Sequence, residues 1–325
     1  MVLGGASLKF MVGLQNRNDG FLQRILNNKH HIYEVYFSWG DFPNGRNNQI
    51  YSDELTPFEM LAWQDKALGA LTAEDISLNL LFNGNCYGRD SQSRKFFEKI
   101  GLTTDYIKTK YNLRSITTTS PLIAKFFKSN FEDIEVRASV NMEIGTVEGM
   151  EYVSQYFDSY YMKREYNRDF SRIEELKGWC DENGKKLFML ANSGCLNFCS
   201  AHNFHDNLVA HESEISAMDN AYNFGGVCHE FLSDEKNYPK LIERTNFVRP
   251  EDMHKYDGYF CAAKLATRVH KNPSMVLDSY VRASYSGDIL RLLEPAHSIY
   301  PYVIENGETI KLKKINIDIY TQEGK

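Results

Sequence analysis

Eight short runs of apolar, β-branched or aromatic residues recur along the chain, separated by longer amphipathic segments, and this alternation limits the fold more than any other feature. It predicts a parallel sheet wrapped by helices. The runs lie at 8–14, 33–39, 77–83, 115–119, 135–140, 159–164, 186–192 and 258–265. Eight strands in 325 residues fit a closed α/β barrel of the (β/α)8 TIM type better than an open doubly wound sheet, although both classes share the pattern.

Helix starts fall between the runs. Thr56, Pro57 and Glu59 form a capping box with proline at the first helical position, ahead of an apolar-periodic stretch reaching Leu71. Ser120 with Pro121 repeats the device for a helix ending near Asn130, Thr146 and Asp169 are caps for the next two, and Gly184 ends the second of these. One domain over 1–325 is the economical reading, with an insertion at 199–248 over the active face and a C-terminal extension at 291–325 acting as a cap. That tail alternates like a hairpin around Asn306 and Gly307.

The hydrophobic fraction of 42% and charged fraction of 25% are those of a globular chain, which argues against disorder. A net charge of -6 gives no long-range attraction to phosphate backbones or anionic lipid, so nucleic acid enters only as a substrate. The apolar start lacks a basic leader, and no run approaches the roughly 20 apolar residues of a membrane helix, so no membrane partner and a cytoplasmic location are expected.

In such a barrel the functional side chains sit where strands end, because the loops there converge on one mouth. Strand ends here carry Trp39 with Asp41, Asn83 with Cys86, Thr118, Asn141, Arg164 with Glu165 and Arg168, Asn192 with Cys195 and Cys199, and Lys264 with Arg268. Six cysteines are few for a disulfide framework, so metal binding or burial must account for them. Cys195 and Cys199, in NSGCLNFCSAHNFHDN, follow strand seven and can present two sulfurs to one metal or cluster. Cys228 can fold back from the insertion as a third ligand, and Cys86 is at the correct end to be a fourth. Cys180 belongs at the opposite end of the barrel, one strand length of about 23 Å away. Cys261 falls inside the eighth run. Zinc competes with iron–sulfur for such a site, with His202, His205 or His229 as nitrogen ligands.

Arg137, Arg164, Arg168, Lys264 and Arg268, with Arg89 nearby, are expected to face the mouth and, with Asn141, to grip a small anionic substrate. His202, His205 and Asp206 are the preferred acid/base candidates, Asp41 in a turn-rich loop with Asn44 and Arg46 is another, and Glu143 and Glu165 follow. The sequence contains no His-Glu-x-x-His zinc-peptidase helix, no Gly-rich phosphate loop and no Cys-x3-Cys-x2-Cys arrangement.

The block 137–211, with its strand-end asparagine in VRASVNM, the YYMKREYNRD segment, the glycine-cysteine after strand seven, a second cysteine four residues on and the His205-Asp206-Asn207 element, resembles the collagenase-like peptidase family, peptidase family U-32. VRPEDMHKYDGYFCAAKLATR resembles that family's later stretch, and the likeness spans roughly 8–290. It departs from the common pattern in having CSAH where many relatives have Cys-Pro and a basic residue. The resemblance implies a barrel and one of two activities. Some members are described as peptidases; others serve oxygen-independent hydroxylation of RNA or quinone precursors, several with a [4Fe-4S] cluster on four cysteines and, for some, prephenate as oxygen donor. Three expectations follow: an iron–sulfur redox enzyme using Cys195, Cys199, Cys228 and Cys86, a metal- or thiol-dependent hydrolase of peptide-like substrates, or a cluster-bearing accessory protein that serves a protein partner.

Overall fold

In the computed structural model, the eight strands close on themselves: β1 (Lys9–Gly13), β2 (Ile32–Phe37), β3 (Leu78–Phe82), β4 (Leu113–Thr118), β5 (Glu135–Ala138), β6 (Ser159–Tyr161), β7 (Lys186–Leu190) and β8 (Ala262–Leu265) pair in order, all parallel. Met11 facing Lys264 joins the first strand to the last. The structure describes residues 8–17, 20–46, 56–222, 224–232, 234, 236–237, 241–296, 302–305 and 308–311, the last two segments as backbone only. The chain is a (β/α)8 barrel, as the alternation predicts.

Each strand is followed by helical cover whose start is written locally. Thr56 and Glu59 form the reciprocal capping box at the head of α2 (Pro57–Ala73), and Ser120 caps α4 (Pro121–Asn130) with proline inside the first turn. Thr146 and Asp169 cap α5 (Val147–Glu151) and α6 (Phe170–Glu182), and Gly184 leaves α6 at φ +62. The remaining long helices are α1 (Phe21–Asn27), α3 (Arg94–Lys110) and α11 (Pro273–Val281), the last following β8. Outward strand residues such as Val35, Phe37, Leu80, Phe82 and Val136 form the layer beneath these helices.

Inward residues fill the barrel in tiers. The N-terminal half is polar: Arg137 reaches Glu34 and Glu135, Ser115 donates to Glu34, and Asn79 joins Ser115 to Thr117. Met11, Tyr36, Leu81, Val140, Tyr161, Phe188 and Leu190 seal it from the mouth. The sequence runs at 159–164 and 186–192 extend past the observed strands because Arg164 and Asn192 leave the ladder at the rim. The run at 258–265 begins early, since Gly258 at φ +85 belongs to the turn before β8. Cys261 is consequently exposed at the N-terminal rim, and Cys180 is on the buried face of α6, where burial pushes its thiol up to about 12.

Between β7 and β8 the chain forms α7 (His202–Ala210), α8 (Glu212–Ser216), α9 (Val227–Leu232) and α10 (Leu241–Arg244). The tail forms an antiparallel pair, β9 (Tyr302–Glu305) with β10 (Glu308–Lys311); Asn306 and Gly307, the expected turn, and 312–320 lie outside the described residues.

Candidate active site

The loop after β7 is fixed by buried amides. Asn192 accepts from Ala266 N at 2.6 Å and donates to Leu292 O at 2.9 Å, while Asn167 donates to Leu190 O and Asn246 O at 2.7 and 2.8 Å. Ser193 and Asn197 both bond to the Asn246 side chain. These amides tie the loop to backbone and side chains of separate segments and so give it one arrangement, with Asn167 Oδ1 left buried and unpartnered. Gly194 donates to Glu294 O at 2.9 Å, and a Cβ there would lie 2.1 Å from Pro295 O, so only glycine lets the C-terminal segment approach.

Held this way, Cys195 and Cys199 line one cavity of about 240 Å³ with Cys228, which α9 carries back over the mouth, and with His202, His205, Asp206 and Arg46. Burial raises the Cys228 thiol, and the proximity of Cys195 and Cys199 raises it further. Burial, reinforced by Arg46, lowers His205. His202 is buried at the start of α7, with Nδ1 against Glu143 Oε1 and Nε2 3.3 Å from Asp206 Oδ2.

A second, small cleft of about 60 Å³ opens beside it, lined by Tyr36, Asn83, Asn141, Arg164, Lys264 and Arg268, and sharing Arg46 and Glu294 with the thiol cavity. Four cationic side chains face it against the single carboxylate of Glu294, which Arg46 meets at 3.6 Å. Burial lowers Lys264 to about 7, with neighbouring Arg268 adding to the effect, and burial lowers Arg268 to about 10. Arg164 bridges the two cavities, Nη1 being 3.4 Å from Cys195 Sγ and Nη2 3.4 Å from Asn141 Oδ1. Gly45 packs against Asn83 and Asn141, where a Cβ would come within 2.7 Å of Asn141 Nδ2. Chemically, the arrangement offers soft sulfur ligands next to a partly desolvated cationic cleft.

Several expected site residues stand elsewhere. Arg137 does not face the mouth: it is the third residue of β5, points into the lower barrel, and is taken up by Glu34 and Glu135 with Phe188 stacked 4.1 Å away. Arg168 clamps the returning insertion, donating to Phe247 O at 2.9 Å and Ile242 O at 2.8 Å. Asp41 is an exposed partner of Lys99, which holds its carboxyl below the usual range, and it lines a separate groove with Asn16 and Gln64. Arg89 is solvent-exposed beside Asp90. Cys86 is outside the cavity of the other three thiols; it pairs with His211, which lowers its thiol, and Gly88 N lies 3.5 Å from Sγ. Arg46 and Glu294 are the residues the strand-end rule does not select: Arg46 lies in the loop well past β2, its visible signal being only that polar, turn-rich loop, and Glu294 comes after α11, far beyond β8.

No family model matches the chain. It is 23% identical over 306 residues to a protein of Methanocaldococcus jannaschii named "Uncharacterized protease MJ1657", covering 92% of this chain and 86% of that one. Among solved structures it is similar to that of "the U32 Peptidase Mk0906", with a TM-score of 0.56 and 12% identity over 81% of this chain and 94% of that chain, a likeness of fold. The chain thus shares its barrel with a U32 peptidase and a distant sequence similarity with a protein named as a protease.

Proposed function

We propose that this chain is an iron–sulfur-dependent redox enzyme acting on a small anionic or RNA-linked substrate, by oxygen-independent hydroxylation or a related transfer. One observation carries the reading: three thiols and four cationic side chains line adjoining cavities that share Arg46. Cys195, Cys199 and Cys228 would hold the group. The donor set suits iron–sulfur better than a single zinc. Thiolates on one tetrahedral zinc sit about 3.8 Å apart, at about 2.3 Å from the metal, whereas among the described residues the ligand atoms that all come within 4.8 Å of one another belong to Glu143, Glu165 and His202, not to the thiols. Bound there, a cluster supplies electron transfer and Lewis-acidic iron.

The side chains do the rest. The guanidinium forks of Arg46, Arg164 and Arg268 grip carboxylate or phosphate oxygens in pairs, and Asn83 and Asn141 fix the orientation of neutral oxygens. Lys264, poised near neutrality, takes up a proton as an anion enters and so completes the charge match. His205 and Asp206, on α7 of the insertion and lining the thiol cavity, would move protons.

Anaerobic purification with iron and sulfide analysis tests the reading. The wild type is expected to be brown, with about four irons and four sulfides per chain. Cys195→Ala, Cys199→Ala and Cys228→Ala lose the metal and Cys86→Ala keeps it. Full metal content in the first three variants would sink the assignment. The competing peptidase reading draws on the relative's printed name and on the Cys86–His211 pair; peptide cleavage by metal-free protein would favour it.

A further inference from the structure

We propose that Glu143, Glu165 and His202 form a divalent-cation site in the wall of the thiol cavity, distinct from the three thiols, with Asp206 orienting the imidazole. One ligand atom from each of the three lies within 4.8 Å of those of the other two. The set is two carboxylates and one imidazole, a hard-to-borderline donor group that suits Mn²⁺, Fe²⁺ or Zn²⁺ and contrasts with the soft sulfurs nearby.

Independent of that proximity, three buried polar atoms of this group lack a hydrogen-bond partner, while His202 Nδ1 meets Glu143 Oε1. His202 has 8% of its side chain exposed and Asp206 has 6%, yet His202 Nε2 and Asp206 Oδ2 make no aligned hydrogen bond although they are 3.3 Å apart. Glu165 Oε2 is likewise buried and unpartnered. Native interiors rarely leave such atoms unmatched. The nearby cations do not answer the need: Lys163 reaches only Glu143 Oε2, at 4.0 Å, and Arg164 turns its Nη atoms toward Cys195 and Asn141. A cation bonded to Glu143, Glu165 and His202 Nδ1 takes the place of the proton shared by His202 Nδ1 and Glu143 Oε1 and gives Glu165 Oε2 the partner it lacks. It also fixes the proton on Nε2, which then donates to Asp206; a ligating histidine is commonly backed by a carboxylate in this way.

The site is independent of the iron–sulfur reading, and the test separates the two. Full-length protein is titrated with Mn²⁺ and free Mn²⁺ is followed by EPR, in the wild type and in Glu143→Gln, Glu165→Gln, Asp206→Asn and Cys195→Ala. The wild type binds one Mn²⁺ per chain. Glu143→Gln and Glu165→Gln each weaken binding at least about tenfold, Asp206→Asn weakens it by about 10- to 100-fold, and Cys195→Ala, which loses iron under the earlier reading, leaves it unchanged. Absence of Mn²⁺ binding, indifference to both glutamine variants, or loss in Cys195→Ala overturns the proposal. Pulsed EPR of Mn²⁺ on the wild type needs no variant to fold. Coupling to an imidazole nitrogen supports the site, and its absence overturns it.

Discussion

Lys264→Met offers a test in which a single buried charge is removed. Lys264 is the third residue of β8, with Nζ 4.1 Å from the Tyr36 ring centre and 5.2 Å from that of Tyr161, and burial holds its ammonium at about 7. In the unfolded chain a lysine titrates at about 10.4. The folded value is therefore the lower one, and between about pH 7 and 10 the unfolded chain binds more protons, so stability rises with pH across that window. The penalty is full below pH 7 and vanishes as pH passes the unfolded value. Worked through, burial of the charge costs about 4 kcal/mol at pH 7 and about 2 kcal/mol at pH 9. Urea unfolding of wild type and variant at pH 7, 8 and 9, in buffer free of phosphate and carboxylate, reads the difference directly. The methionine variant is the more stable at pH 7, by an amount reduced by about 1 kcal/mol for the lost cation–π contacts. Its advantage shrinks by about 2 kcal/mol by pH 9. A difference that stays constant with pH would refute the placement of a desolvated amine in the cleft.

Two other substitutions probe the barrel and its mouth. Glu34→Gln leaves the 1%-exposed Arg137 with Glu135 as its remaining charged partner and should cost about 3 kcal/mol, read as a lower urea midpoint with unchanged slope; a wild-type midpoint would show that the polar tier contributes nothing. Arg268→Met should weaken binding of a small dicarboxylate at least about tenfold by calorimetry, since a buried guanidinium whose Nη1 lacks a partner is removed from the cleft. Equal affinity in wild type and variant would remove Arg268 from the anion site.

Much of the architecture was legible because its signals are local. The capping box at Thr56 and the Ser120-Pro121 start mark helices that begin where expected, and each of the eight apolar runs overlaps a strand. The errors lie at rims and in depth. Arg137 and Lys264 each follow a strand start by two residues and look alike in sequence, yet Arg137 finds two carboxylates beneath Tyr161 and Phe188, whereas Lys264 finds none and opens to the mouth. Cys86 is at the correct end of the barrel, but its loop delivers it to His211 rather than to the other thiols.

The sequence alone determined the eightfold strand–helix alternation, the helix starts and the loop after β7 as bearer of two cysteines, because hydrophobic period, caps and spacing act between near neighbours. Tertiary structure decided which charges are neutralised inside the barrel and that Cys228 joins Cys195 and Cys199. It also brought Arg46 and Glu294, from distant loops, to frame both cavities. Those meetings depend on barrel closure and on the path of the chain between β7 and β8, and side chains far apart in sequence carry no local mark of the partner they will meet.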